Sequence, residues 1–427
     1  MRLNNLQSFT LKNGSQLLFV SLANADSSVV MATVKSGPRF DPIGKGGLSH
    51  FTEHMLFRGT RRYPSRTKLA EVLERKGAQA EAFSYHETNK YWVRCAKEDT
   101  TFAVENLVER IYASLVKKED IEAEKGVVKE EKEVLFSNPE KLIWEIWSQT
   151  LWKGEALGRV YLGNEKSIDS FTRDDVLDFI RKYYVSKNII YFIGGNIDIE
   201  KILEKINLLL PKSSFKQSFP IQKGQNAQAS NDQNINIFRN DSKDITVALG
   251  FRTVPQEHKL KEVFELVSAF LGGGMSSKLG QEIAEPGYTY SIGATTENLS
   301  DAGYLVVRFT TGKNLLKKVL RIIYLTILSL TQKPLNDREL NSAKGFYIGQ
   351  LKINIETALD WALYYSNQAI CNFNKITTLE EKVGKISNID PNLILKVSKE
   401  YFRKENFCLA AIGDVKEKDI ISFERIH

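Results

Sequence analysis

The sequence predicts an α+β fold of two homologous domains, each a sheet packed with helices, joined by a linker. Three observations lead there. The 427-residue length suits two domains of about 200 residues better than one. From Ser213 to Asn234 the composition shifts to Lys, Gln, Asn and Ser, as a connecting segment does. Beyond it the pattern of the first half repeats, most specifically as Ala123-Glu124-Lys125-Gly126 against Ser342-Ala343-Lys344-Gly345, 219 residues later. The expected organisation is a first domain over 1–212, a linker over 213–233 and a second domain over 234–427.

In the first half, Leu6 to Leu22 alternates around Asn13-Gly14 and reads as a β-hairpin. Ser28 to Lys35 is a strand, and Gly37-Pro38 and Gly44 to Gly47 punctuate the loop after it. Lys68 to Lys76 is helical and stops at Gly77. Glu81 to Arg94 is strand-like around a turn at His86 to Asn89. Thr101 to Lys117 and Asp120 to Phe136 carry apolar residues at helical spacing, and Asn138-Pro139 ends the second. Helical spacing resumes through Trp144-Glu145-Ile146-Trp147. Thr172 caps a helix running to Tyr184, before the strand Asn188 to Gly194. In the second half, Ile245 to Phe251 repeats the strand Val29 to Val34, and Lys261 to Leu271 is the next helix. Tyr304 to Phe309 and the long helix after it mirror Tyr91 to Cys95 and its helix.

An apolar fraction of 42% and a charged fraction of 26% are ordinary for a soluble globular protein. The net charge of +7 is scattered, as in Lys117-Lys118 and Lys317-Lys318, which describes a solvated surface and not a nucleic-acid patch. Cys95, Cys371 and Cys408 are odd in number and lack metal-ligand spacing, so they read as buried thiols of a reducing compartment. Met1-Arg2-Leu3-Asn4-Asn5 does not open an apolar core of signal-peptide length. Val319 to Leu330 is broken by Arg321 and too short to span a bilayer. The expectation is a cytoplasmic protein with no membrane span and no nucleic-acid partner.

The chemistry is concentrated in Gly47-Leu48-Ser49-His50-Phe51-Thr52-Glu53-His54-Met55, which contains His-x-x-Glu-His. On a helix, His50 and His54 stand one turn apart and present two imidazoles to one ion, with Glu53 beside them where it can hold a water. A third ligand is then needed, from a carboxylate, Cys or His. His86, His258 and His427 are isolated in the sequence. The helix Asp120 to Phe136 is richer, with Glu122, Glu124, Glu130, Glu131 and Glu133. Glu124 and Glu131 are two turns apart and share a face, bracketed by Val127, Val128 and Leu135 on their way to the core. Glu122, Glu130 and Glu133 read as a solvated face. In the repeat, His50, Glu53 and His54 correspond to Leu266, Ala269 and Phe270, and Glu124 and Glu131 to Ala343 and Gln350. The polar site therefore belongs to the first half alone.

With these residues the chain resembles the pitrilysin-type inverted-zincin metallopeptidases, in the branch that includes the mitochondrial processing peptidase and its bacterial relatives. The family pattern Gly-x-x-His-x-x-Glu-His-x-x-Phe-x-Gly-Thr matches Gly47 to Thr60 throughout. Glu131 stands 77 residues after His54, where the family places its ligand Glu, and Glu124 matches the family's second glutamate. Leu271-Gly272-Gly273-Gly274-Met275-Ser276-Ser277 matches the family's glycine-rich segment, and Leu157-Gly158-Arg159 and Gly163 also fit. The resemblance covers essentially the whole chain. It implies a processing-peptidase-like, clamshell-forming fold and one Zn²⁺ per chain held by His50, His54 and Glu131. It also implies Glu53 as general base, Glu124 as the partner orienting a ligand imidazole, and hydrolysis of peptides or unfolded segments. The alternative is a non-catalytic core or assembly subunit of the same fold, which has no physical reason to keep His50, Glu53, His54 and Glu131 together. A zinc-free site, with both histidines satisfied by Glu131, is the bland reading of the motif.

In the family, the strand after the metal helix pairs with extended peptide. Ala80-Glu81-Ala82-Phe83-Ser84 matches it, with Glu81 where the family usually has Asn. The resemblance gives Gly272, Gly273 and Gly274 a part in the same substrate binding. Active single-chain relatives also carry an Arg and a Tyr seven apart that bind peptide and support the tetrahedral intermediate. Tyr290 matches the Tyr, but the Arg position falls at Ile283 or Ala284, and no Arg or Lys occurs from Leu279 to Tyr290. The implied state is the zinc-bearing subunit of a homo- or heterodimer whose related subunit supplies the missing Arg.

Overall fold

The alternation of the first residues closes as a hairpin, in which β1 (Leu6–Thr10) pairs antiparallel with β2 (Gln16–Ser21). Gly14 takes the left-handed turn position at φ 89°. The computed structural model describes residues 6–211, 234–421 and 423, so the expected linker 213–233 and His427 lie outside the described residues. Along the first half follow β3 (Ser27–Val34), α1 (Leu48–Met55), α2 (Arg66–Glu74), β4 (Gln79–Tyr85), β5 (Thr88–Ala96), α3 (Thr100–Ala113) and α4 (Lys118–Phe136). Next come α5 (Pro139–Leu151), α6 (Glu165–Asp169), α7 (Arg173–Tyr183), β6 (Ile189–Gly195) and α8 (Ile199–Leu209). The second half runs β7 (Asn234–Phe238), β8 (Asp244–Thr253), α9 (Lys261–Gly272), β9 (Ser291–Asn298), β10 (Gly303–Gly312), α10 (Leu316–Gln332) and α11 (Asp337–Ile353). It ends with α12 (Ala358–Ala369), α13 (Leu379–Ser387), α14 (Pro391–Tyr401) and β11 (Phe407–Ile412).

One helix is shorter than its pattern. The helix expected to reach Lys117 stops at Ala113, because the loop after α1 takes the next backbone groups. Ser114 bridges Thr60, Arg61 N donates to Ala113 O at 3.0 Å and Leu115 N to Gly59 O at 3.0 Å. Val116 then takes a positive φ of 46° to turn the chain into α4.

Two compact units result. The first comprises residues 6–133, 159–211 and 354–376, around a sheet of order β1-β2-β6-β3-β5-β4. Val30, Ala32, Val34, Tyr91, Val93 and Ile193 form one face of that sheet and share a core with α1, α3, α7 and α8. Gly194 looks the other way, and a Cβ there would meet the Ala358 side chain of α12 at 3.3 Å. The second unit comprises 134–158, 234–353 and 377–423, around a sheet of order β7-β11-β8-β10-β9. Val247, Leu249, Val307 and Leu409 face α9, α10 and α14, while the alternate residues Ala248, Val306, Cys408 and Ala410 face Leu142, Ile146 and Trp147 of α5.

Five strands of the first sheet, all but β1, correspond in order to the strands of the second. The run β2-β6-β3-β5-β4 matches β7-β11-β8-β10-β9, and the parallel pair β2–β6 matches the parallel pair β7–β11. Each sheet is thus buried on both faces by helices. The contiguous division at 212 and 234 leaves out one feature of these units: α5 belongs to the second and α12 to the first.

Candidate metal centre

The loop before α1 is built to start a helix with polar residues pointing inward. Gly47 takes φ 88°, and a Cβ there would meet Leu162 O at 2.6 Å, so the position needs glycine on both counts. Asp41 caps the helix through both carboxylate oxygens, accepting from Gly47 N at 2.7 Å and Ser49 N at 2.8 Å. Burial raises this carboxyl to about 7, against the opposing pull of those two bonds and of Arg159. Arg159 Nη1 donates to the carbonyls of Arg39 and Asp41, and Gly163 approaches Gly46 O closely enough to exclude a Cβ. The 159–163 segment therefore braces the loop that launches α1.

On α1, His50 and His54 point to one place, with their Nε2 atoms 3.2 Å apart. Glu131 Oε2 on α4 lies 3.5 Å from His54 Nε2 and 3.7 Å from His50 Nε2. The three side chains are the metal-competent group found among the described residues. Zinc bound at about 2.0–2.1 Å by nitrogen and oxygen in a tetrahedron sets neighbouring donors roughly 3.3 Å apart, so the spacings fit that ion. Two imidazoles and a carboxylate also suit it chemically. His50 Nδ1 is buried without a hydrogen-bond partner among the described residues, so carrying its proton there leaves the Nε2 lone pair for an ion.

Glu124, two turns before Glu131, accepts from His54 Nδ1 at 2.7 Å, which fixes the tautomer that frees His54 Nε2. Its second oxygen accepts from Nε and Nη2 of Arg58. Burial alone would raise Glu124, but His54 and Arg58 hold it below the usual carboxylate range. Burial would lower His54, yet its bond to Glu124 and the surrounding carboxylates raise it. His50 is held down by burial and by His54.

Glu53 is 8% exposed, and its Oε2 accepts from Ser84 Oγ at 2.9 Å. Burial raises it to about 7, with Glu131 adding and His54 and Ser84 opposing. Tyr161 packs on His50 with ring centroids 4.8 Å apart, and its phenol is pushed up by burial and by Glu53 and Glu131. The strand β4, which carries Ala80, Glu81, Ala82, Phe83 and Ser84, is an edge of its sheet, paired on one side with β5. Ala80 and Ala82 pack on the core, whereas Glu81 is exposed.

The structure thus joins His50, His54, Glu131, Glu53 and Glu124, with β4 beside them. Ser84, the last residue of the stretch matched to the peptide-pairing strand, completes the site with Arg58, Tyr161 and Asp41, and these last three were not singled out from the sequence. Only Arg58 carried a signal, as the open position of Phe57-Arg58-Gly59-Thr60. One expectation needs correction: Val128 is fully buried, but Val127, about 100° further round the helix, is 39% exposed and lines a cavity beside His54. Tyr290 lies in the second unit, 74% exposed, with its N–H bonded to Thr310 O at 2.8 Å. Gly272 and Gly273, at the end of α9, let β9 and Phe346 approach: a Cβ would meet Ala294 N at 2.5 Å and the Phe346 ring at 2.6 Å. Ile283, where the Arg was sought, is fully buried in the core of that unit.

The model of the insulinase family, peptidase family M16, matches residues 17–165, and that of the peptidase M16 inactive domain matches residues 170–346. An uncharacterized zinc protease of Rickettsia felis is 30% identical over 398 residues, which is 92% of this chain and 94% of the relative. The chain belongs to peptidase family M16. Another M16 relative is the mitochondrial-processing peptidase subunit beta of Bos taurus, 24% identical over 429 residues, 95% of this chain and 84% of that one. The crystal structure of a protease from Helicobacter pylori shares the fold, with a TM-score of 0.89 at 20% identity, covering 96% of this chain and all of that one. Among the described residues no helix is long and apolar enough to cross a membrane.

Proposed function

We propose that this M16 protein is a zinc-dependent metalloendopeptidase that cleaves peptides or unfolded segments, with one Zn²⁺ held by His50, His54 and Glu131. The observation that carries the reading is a buried carboxylate, Glu53, set beside three converging ligand atoms with an edge strand next to them. Zinc, when bound, supplies a Lewis acid for the scissile carbonyl and acidifies a water. Glu53 takes the proton of the attacking water and passes it to the leaving amine, and the Ser84 hydroxyl holds its carboxylate in place. Glu124 keeps His54 in the ligating tautomer, while Arg58 keeps Glu124 ionised and fixed. The backbone of Ala80 to Phe83 aligns an extended peptide by adding it to the sheet edge.

The chain works as the zinc-bearing subunit of a homo- or heterodimer. That reading is supported by the stretch from Leu279 to Tyr290, which holds no Arg or Lys, so a related subunit supplies the missing Arg. Gly272 to Gly274 contribute to peptide binding in the same assembly. Cys95, Cys371 and Cys408 are thiols outside any disulfide among the described residues, which suits a reducing, cytoplasmic setting.

The test is peptide cleavage by the purified chain, with metal content determined on the same sample. About one zinc per chain and cleavage abolished by a chelator are expected. Absence of both zinc and cleavage, with and without a co-encoded homologue, would refute the proposal.

A further inference from the structure

A cavity of about 430 Å³ opens beside Glu53 and His54, floored by Leu69 and Leu73 and edged by Ala80 and Ala82 of β4. Arg110 of α3 also lines it, and Arg110 is only 2% exposed. Its Nε donates to Asn106 Oδ1 at 2.8 Å, and its guanidinium carbon lies 4.4 Å from the centre of the Phe57 ring. Its Nη1 is buried with no hydrogen-bond partner among the described residues. Burial pulls the group down to about 10, and no carboxylate opposes that pull.

The nearby acids are committed elsewhere or stand in solvent. Glu124 serves His54 and Arg58, Glu53 bonds Ser84, and Glu81 is exposed. A stacked ring compensates a buried cation in part, but it leaves the donors of Nη1 unmet. A buried guanidinium that lines a cavity and keeps an unpartnered Nη1 is suited to receive a carboxylate entering that cavity. The cavity adjoins the edge strand, and an extended peptide paired there projects alternate side chains into the recess.

Resting on the peptidase reading, we propose that Arg110 makes this cavity a subsite for an acidic side chain, Asp or Glu, flanking the cleaved bond. The subsite sets a substrate preference that the metal ligands alone do not.

The test uses the zinc-loaded Glu53→Gln chain, which binds without turnover, and fluorescein-labelled unstructured peptides read by anisotropy. The peptides come in pairs that differ only by Glu or Gln at one position, moved along the sequence. At one position Glu should bind roughly tenfold or more tighter than Gln, the scale of a charge-assisted hydrogen bond. Adding Arg110→Met, which keeps the length and loses the charge, should erase the difference while leaving Tm unchanged or higher, since an unpaired buried cation has gone. No Glu preference at any position, or a preference that survives Arg110→Met, overturns the subsite. Cleavage by the unsubstituted chain without Glu preference overturns the subsite and leaves the peptidase standing. Glu-dependent binding without any cleavage does the reverse, and a chain that binds no peptide overturns both.

Discussion

Replacing Glu124 by Gln changes one oxygen to an amide nitrogen at a point where both oxygens have work. Oε1 takes the proton of His54 Nδ1 at 2.7 Å, and Oε2 takes those of Arg58, in a side chain only 3% exposed. A glutamine can accept from one partner only. If its amide nitrogen faces His54, the imidazole must turn its lone pair to Nδ1 and its proton to Nε2, away from the ligating tautomer. If it faces Arg58, a guanidinium loses its anion. The first outcome costs about 10–100-fold in zinc affinity, or about 1.4–2.7 kcal/mol. The second costs the fold about 1.5–3 kcal/mol, the scale of a hydrogen bond to a charged group. Zinc affinity measured against a competing chelator, with urea unfolding of the same samples, separates the two. Glu122→Gln on the same helix is the control, since Glu122 is 72% exposed and pairs with Lys125 on the helix surface. Unchanged zinc affinity in a folded Glu124→Gln chain would refute the tautomer argument. Equal weakening by Glu122→Gln would trace the effect to net charge instead.

Glu53→Gln is expected to keep zinc and lose about 10²–10⁴-fold in peptide turnover, checked by metal analysis and peptide cleavage; retained turnover in the zinc-loaded variant removes Glu53 from its role. Gly47→Ala forces a Cβ toward Leu162 O at a positive φ and should cost about 1–3 kcal/mol in thermal unfolding. Asp41 sets a pH dependence. Its folded carboxyl sits at about 7 against roughly 4 in the unfolded chain, so unfolding releases a proton between those values. Its contribution to stability is full below about pH 4 and is lost as pH rises through 7. Melts at pH 5 and pH 8, compared with Asp41→Asn, should show the unsubstituted chain losing more stability than the variant; parallel losses refute the assignment.

The sequence made α1 and the face shared by Glu124 and Glu131 legible because both depend on local period. Four residues bring His50 over His54, and seven bring Glu124 over Glu131, whatever the rest of the chain does. The hairpin at Gly14 and the capped helix after Thr172 were legible for the same reason. What stayed hidden depends on contacts made across the fold. Ser84 reaches Glu53 only because β4 packs on α1, and Tyr161 covers His50 from a segment more than a hundred residues away. Arg110 reads as one more charged residue on an amphipathic helix until its burial and missing partner are seen. The placing of α5 and α12 was equally invisible, because an apolar helix face does not say which sheet it will cover.

The second unit shows what this architecture looks like without chemistry. The same strand order is built there around α9, where Leu266 and Phe270 are buried in the core at the positions of His50 and His54. Ala343 is buried where Glu124 stands in the first unit. The fold therefore closes with hydrocarbon where the first unit places His50, Glu53, His54 and Glu124, and only the position of Glu131 keeps a polar residue there, Gln350. Burying His50, Glu53, Glu124 and Arg110 instead costs desolvation that a packed core avoids. Each of the first three recovers part of that cost by converging on one point or bonding a neighbour there. Of the four, Arg110 alone has no anionic partner among the described residues, which is the physical reason to look for its partner in what the site binds.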